Sequence, residues 1–202
     1  LFNMASDSNL FKTRVQLLEA GGIQNGNNFI VNGVDYVPLY EGKLFGIYNH
    51  HFGEFPLDGV RPKAIQNTTS TTLNDSYSTL IPWYWIEKSE VTRKLKKVDS
   101  SGNVDWSWNH CYYIAFRDVT NSTSIRTCVT SLLPGFVGTG DKAPLVFSNR
   151  NNIENMCLLG MMSSLVFDYV ARQKVGGVSM AFFMMKQLPF IAPDHIPDDI
   201  KW

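Results

Sequence analysis

The stretch CYYIAFRDVTNSTSIRTCVTSLL, residues 111–133, decides the fold class. Residues 111–117 and 126–133 are rich in aromatic, β-branched and aliphatic side chains, the composition of strands. Residues 118–125 between them are almost wholly polar and read as a loop. A further short strand is predicted at residues 144–147. The chain then changes character. Asn151-Asn152-Ile153-Glu154 has the spacing of a capping box, with Asn151 as cap and Glu154 at the third helical position. The helix it opens carries Met156, Leu159, Met162, Leu165, Val166, Tyr169 and Val170 at helical spacing.

Upstream the same mixture recurs. Residues 6–20 read as a short helix with Asp7 or Ser8 as cap, stopped by Gly21-Gly22. In FIVNGVDYVPLY, residues 29–40, Asn32-Gly33 separates two strand-like runs and signals a two-residue hairpin. Residues 42–49 look like another strand. Polar and aromatic groups alternate over Pro38–Lys43 and then Tyr48–Phe52, as on a half-buried surface strand, with an edge strand carrying a buried tyrosine as the competing reading. Residues 67–79 are nearly all Ser, Thr, Asn and Asp and form a loop. Residues 87–97 are predicted to hold a short helix, followed by a turn at 99–103. Strands and helices mix without a long βα alternation. The predicted class is α+β, with a mixed or mostly antiparallel sheet and several helices.

Composition narrows the function classes. A length of 202 residues fits one domain, or one domain with a lobe. At 44% apolar residues the chain has enough to build a core, so disorder is not expected. No run reaches the roughly 18 apolar residues of a membrane span. Lys and Arg number 18 and Asp and Glu number 18, so the formal net charge is zero. That speaks against a freestanding DNA binder, but not against a module that reads bases beside a more basic neighbour. Lys88, Arg93, Lys94, Lys96 and Lys97 form a basic cluster, with a solvated face as its plain reading. Asp194, Asp198 and Asp199 make the tail acidic.

Cys111, Cys128 and Cys157 match no zinc spacing, and buried thiols in a reducing compartment account for them. His50-His51 in a strand would point to opposite faces and could not chelate one metal. No Gly-rich phosphate loop and no nucleophile elbow is present.

Two segments carry candidate contacts. In the loop, Arg117, Asn121 and Arg126 can hydrogen-bond base edges, Arg to guanine and Asn to adenine. The competing reading is a structural Arg117–Asp118 network or an Asx turn. Near the end, an apolar helix pattern runs into Arg172 and Lys174, stops at Gly176-Gly177 and gives way to a strand-like run over 178–185 ending at Lys186-Gln187-Leu188-Pro189. Arg172, Lys174 and Ser179 surround a glycine pair that permits close approach of backbone to a partner. The competing reading is simple helix termination.

In order, SDSNLFKTRVQLLEAGG, VPLYEGKLFGIYNHHF, FRDVTNSTSIRT with LLPG, and LVFDYVARQKVGG with KQLP resemble one family. It is the specificity region of large single-chain restriction–modification adenine-N6 DNA methyltransferases. The resemblance implies a DNA target-recognition domain over residues 6–193, with 1–5 and 194–202 as flanking segments of a longer parent chain. The family's Asn/Asp-Pro-Pro-Tyr/Phe tetrapeptide, its glycine-bearing cofactor motif and its nuclease pattern are missing here. The implied role is therefore non-catalytic recognition of double-stranded DNA, with no cofactor or metal of its own. S-adenosylmethionine would bind the methyltransferase core of the same parent chain, a site-specific methyltransferase with or without endonuclease activity. The implied setting is bacterial defence in the cytoplasm, with no membrane partner. Carried over, Arg172, Lys174 and Ser179 are the first expected DNA contacts, and Arg117, Asn121 and Arg126 the second.

Two rival readings stand beside it. Neutral charge, aromatic richness and the Trp83 to Trp85 cluster suit a protein-interaction or scaffold domain within a larger complex. Aromatics and the sequons at Asn67, Asn74 and Asn121 suit an extracellular glycan binder, against which the odd cysteine count stands.

Overall fold

The turn at Asn32-Gly33 joins two paired strands of the larger sheet. Both residues take positive φ, 49° and 80°, as a type I′ turn requires. The structure is a computed structural model that describes residues 1–192 and 195–197. The expected boundary residue Pro193 and the acidic Asp194, Asp198 and Asp199 lie outside the described residues. In chain order the first sheet uses β1 (Lys12–Thr13), β2 (Ile23–Asn25), β3 (Asn28–Val31) and β4 (Val34–Tyr40). A short pair, β5 (Gly53–Glu54) and β6 (Gln66–Asn67), stands apart before β7 (Tyr84–Glu87) returns to the sheet in the order β1-β7-β4-β3-β2. β8 (Lys96–Val98) and β9 (Val104–Ser107) make a hairpin. β10 (Tyr112–Phe116) pairs antiparallel with β11 (Thr130–Pro134), while β12 (Gly138–Thr139) crosses back to run parallel with β4. β13 (Leu145–Val146) closes the other edge of β10.

The helices are α1 (Arg14–Glu19), α2 (Ser70–Asn74), α3 (Lys88–Lys94), α4 (Asn152–Ser163), α5 (Leu165–Lys174) and α6 (Phe182–Met185). The fold is α+β, with mostly antiparallel sheets.

β10 organises the interior. Its side chains alternate between two faces, as strand geometry demands. Tyr113 and Ala115 enter a core with Leu39, Tyr40, Ile86 and Leu133. Ile114 and Phe116 enter a second core with Leu159, Met162, Phe167 and Met180, contributed by α4, α5 and the segment beyond. Phe2, from the segment expected to flank the domain, is only 2% exposed in the first core, and its N–H donates to the Thr139 carbonyl at 3.0 Å.

Several expectations need correction. The helix expected over 6–20 is only Arg14–Glu19. Its cap is Thr13, which forms a capping box with Gln16, because burying Phe11 and pairing Lys12 with β7 holds the preceding chain extended. Gly21 does stop it, at φ 78°, with Gly22 N–H on Leu17 O and Gly21 N–H on Leu18 O.

Residues 42–49 are not a strand. Gly42–Leu44 is a 3-10 turn, and the chain then doubles back so that Gly46 pairs with Asn49. β4 is no edge strand, since β3, β7 and β12 surround it. Its second half is buried on both faces, so alternation is lost there.

The long helix is two. Ser164 is extended at ψ 154°, ends α4, and caps α5 by accepting Phe167 N–H at 3.1 Å. The new axis turns Phe167, Asp168 and Ala171 inward and leaves Leu165, Val166 and Tyr169 exposed. The strand expected over 178–185 reduces to one antiparallel pairing, Ser179 with Val119, followed by α6. Of the cysteines only Cys128 is buried, and Cys111 is exposed. The His50-His51 pair sits in a turn. His50 meets Tyr40 and His51 meets Glu54.

Candidate nucleic-acid interface

The two candidate segments meet. The loop at 118–127 is stitched to the glycine corner by backbone bonds, Thr120 N–H to Val178 O at 3.1 Å and Met180 N–H to Asp118 O at 2.7 Å. Arg172 on α5 donates to the carbonyls of Ser124 at 2.9 Å and Ile125 at 3.0 Å. Loop and corner form one unit, with Val119, Ile125 and Val178 projecting outward.

Two buried carboxylates hold it. Asp168 accepts the N–H groups of Thr127 at 2.8 Å and Cys128 at 2.7 Å, and pairs with Arg172 at 3.3 Å and Arg126 at 3.4 Å. Asp118 accepts from the Ser179 hydroxyl and from Lys142 Nζ at 2.8 Å. That bond, before all else, raises the Lys142 ammonium above the usual lysine value. Buried backbone N–H groups need acceptors, and the Asp168 side chain supplies one for Thr127 and Cys128, while Asp118 ties a hydroxyl and an ammonium group to the loop.

Each expected contact residue can now be located. Arg172 lies in the last turn of α5, directed back onto the loop. Arg126 donates to Ser163 O at 2.5 Å and Ser164 O at 3.2 Å across the break between α4 and α5, and its Nε is buried without a hydrogen bond. Asn121 caps its own loop, its Oδ1 accepting from Thr123 N–H at 3.0 Å, the Thr123 hydroxyl and the Ser124 hydroxyl. Ser179 is bound to Asp118. Lys174 is exposed, with no ion-pair partner among the described residues. Arg117 points to the opposite side of the loop, where Nε and one terminal nitrogen donate to Phe45 O and the guanidinium lies over the Phe52 ring. Burial pushes its pKa down from the ordinary arginine value.

Five of the six residues thus belong to one hydrogen-bonded or contiguous surface, and Arg117 joins it to a cleft. That cleft, of about 320 Å³, is lined by Glu41, Gly42, Lys43, Arg117, Val119 and Lys142. A Cβ on Gly42 would collide with the Lys142 carbonyl oxygen, so glycine is required for the two segments to approach. Sequence reasoning missed Lys142 and the two anchoring aspartates as a set. Asp168 carried a usable signal, an acidic residue inside an apolar helix pattern. Lys142 carried none.

The basic cluster on α3 and β8 is a solvated face whose charges are largely paired: Lys88 with Asp35, Arg93 with Glu90, Lys94 with Asp7 and Lys97 with Asp105. Among the described residues, no three His, Cys, Asp or Glu side chains are grouped to hold a metal ion, and no helix is long and apolar enough to cross a membrane. The chain matches no described protein family, no curated protein and no solved structure.

Proposed function

We propose that this chain is a sequence-specific double-stranded DNA recognition module, non-catalytic by itself, serving a bacterial adenine-N6 methyltransferase of restriction–modification or phage defence. The observation that carries the reading is the joining of the 118–127 loop to the 172–180 corner through Asp118 and Asp168. A reader of base edges needs polar groups presented on a surface rigid enough to hold register. Here the bonds joining Asp168 to Thr127, and Arg172 to Ser124 and Ile125, run between segments that the family resemblance singles out. Arg172, Lys174, Ser179, Arg117, Asn121 and Arg126 remain the residues assigned to the interface. The bound carbonyls orient the arginine forks, while Lys174 is free to meet phosphate. S-adenosylmethionine and the flipped adenine belong to the methyltransferase core of the parent chain, working in the cytoplasm.

The test is methylation mapping in a host carrying the full-length gene. Exchanging residues 6–193 for the matching region of another such enzyme should change the methylated adenine motif. An unchanged motif after the exchange would overturn the reading.

A second reading is favoured by one observation. Leu165, Val166, Tyr169, Phe182 and Phe183 are all exposed, as a protein-docking face would be. A scaffold domain would bind its partner with little dependence on salt, whereas DNA binding should weaken steeply.

A further inference from the structure

The cleft behind the loop has a charge balance of its own. Lys43, Arg117 and Lys142 line it, and Arg61 reaches its rim through Glu41, contacting the two carboxylate oxygens at 2.7 and 2.8 Å. Against these four cations stand three carboxylates: Glu41, Asp118 and Asp141, the last 3.7 Å from Lys142. One positive charge is left over. It sits on Arg117, which has no carboxylate partner among the described residues. Its second terminal nitrogen makes no hydrogen bond there and is not buried. A partly desolvated guanidinium with a free donor edge, in a cleft one charge short of neutrality, is completed by a monoanion with planar or tetrahedral oxygens.

We propose that this cleft holds one phosphodiester of duplex DNA, gripped by Lys43, Arg117 and Lys142, an assignment that rests on the DNA-recognition reading above. A phosphodiester carries a single negative charge and so matches the excess, whereas a phosphomonoester or free phosphate approaches two. Val119, exposed at the mouth, gives the adjoining sugar an apolar surface. Gly42 keeps Lys43 and Lys142 on facing walls, since any side chain there would force the walls apart. The cleft sets position along the backbone and carries no sequence information, while the opposite side of the same loop presents the candidate base-reading groups.

The experiment is fluorescence anisotropy with labelled duplexes, one carrying the methylated motif and one scrambled, over a series of salt concentrations. The variants are Lys43→Gln and Lys142→Gln. These side chains are 35% and 54% exposed, so the fold should survive, and circular dichroism checks that it does. Each variant should weaken both duplexes by the same factor. Each should also lower the slope of log affinity against log salt by about one, leaving the preference between duplexes unchanged. If the unaltered protein binds duplex and neither variant changes affinity or slope, the cleft assignment falls and the recognition reading stands. A loss confined to the motif duplex would also overturn it, because the cleft would then be reading sequence. If the unaltered protein binds no duplex at low salt, both fall together. Inorganic phosphate should fail to compete. Competition by it would replace the phosphodiester with a free-phosphate site.

Discussion

At the residue scale, Asp168 carries the largest single responsibility. Removing it strands two buried N–H groups and takes the carboxylate partner from two guanidinium groups that keep only backbone carbonyls. Asp168→Ala should cost about 3–5 kcal/mol, read as a lower urea midpoint. The thiols should divide sharply. Burial first, then the neighbouring Asp168 charge, pushes the Cys128 thiol up to about 12. Only the thiolate attacks an alkylating agent, so iodoacetamide at neutral pH should label exposed Cys111 and spare Cys128 in the native state. Labelling of Cys128 at a similar rate would contradict its burial. His50, exposed at the surface but hydrogen-bonded to Tyr40, has a folded-state pKa depressed below 6.5, chiefly by partial desolvation and secondly by His51. Below 6.5 the unfolded chain therefore takes up a proton that the folded chain resists. Stability contributed by neutral His50 is complete above 6.5 and is lost as pH falls toward the folded value. His50→Gln should flatten that part of the melting-temperature profile, and an unchanged profile would assign the slope to other groups.

At the element scale, the junctions matter more than the elements. A single Ser164 divides what the apolar spacing predicted as one helix, and this turns Asp168 toward the loop. Ser164→Ala removes the cap of α5 and should cost about 1 kcal/mol by chemical denaturation. The loss should be larger than for a surface serine, since Arg126 also anchors to the carbonyls of the same break. Gly42→Ala meets the opposite problem, a backbone collision with Lys142, and should cost about 1–3 kcal/mol with loosening of the cleft. A neutral result would mean that the 3-10 turn shifts freely. These junctions were only half legible in the sequence. The capping box at Asn151 and the turn at Asn32-Gly33 are local chemistry, and they stand where their residues predict. The break at Ser164 was hidden because serine is tolerated within helices and the flanking residues continue the apolar period.

At the scale of the whole molecule, β10 lies between two cores and shares its side chains between them. Loss of either core exposes the strand on which the other is built. Unfolding should therefore be one cooperative transition. Trp83, Trp85, Trp106 and Trp108 lie in or beside the first core and its satellite, while α4 and α5 belong to the second. Tryptophan fluorescence and far-UV circular dichroism should thus give one midpoint in urea, and separate midpoints would divide the molecule in two. The α+β class, the antiparallel loop-joined strands and the hairpin follow from local composition and periodicity alone. These are short-range properties, set by which backbone conformations neighbouring side chains favour. Tertiary structure alone decided that β4 is interior, that Val178, Phe182 and Phe183 face outward, and that Arg117, Lys43 and Lys142 share a cleft. Long-range pairing brings together residues about a hundred positions apart, and no local pattern records which carboxylate will meet which cation. Sequence thus marked the 118–127 loop and the glycine corner as polar and permissive. Their union into one surface came from two buried aspartates, Asp168 accepting loop N–H groups and Asp118 accepting from Ser179 and Lys142.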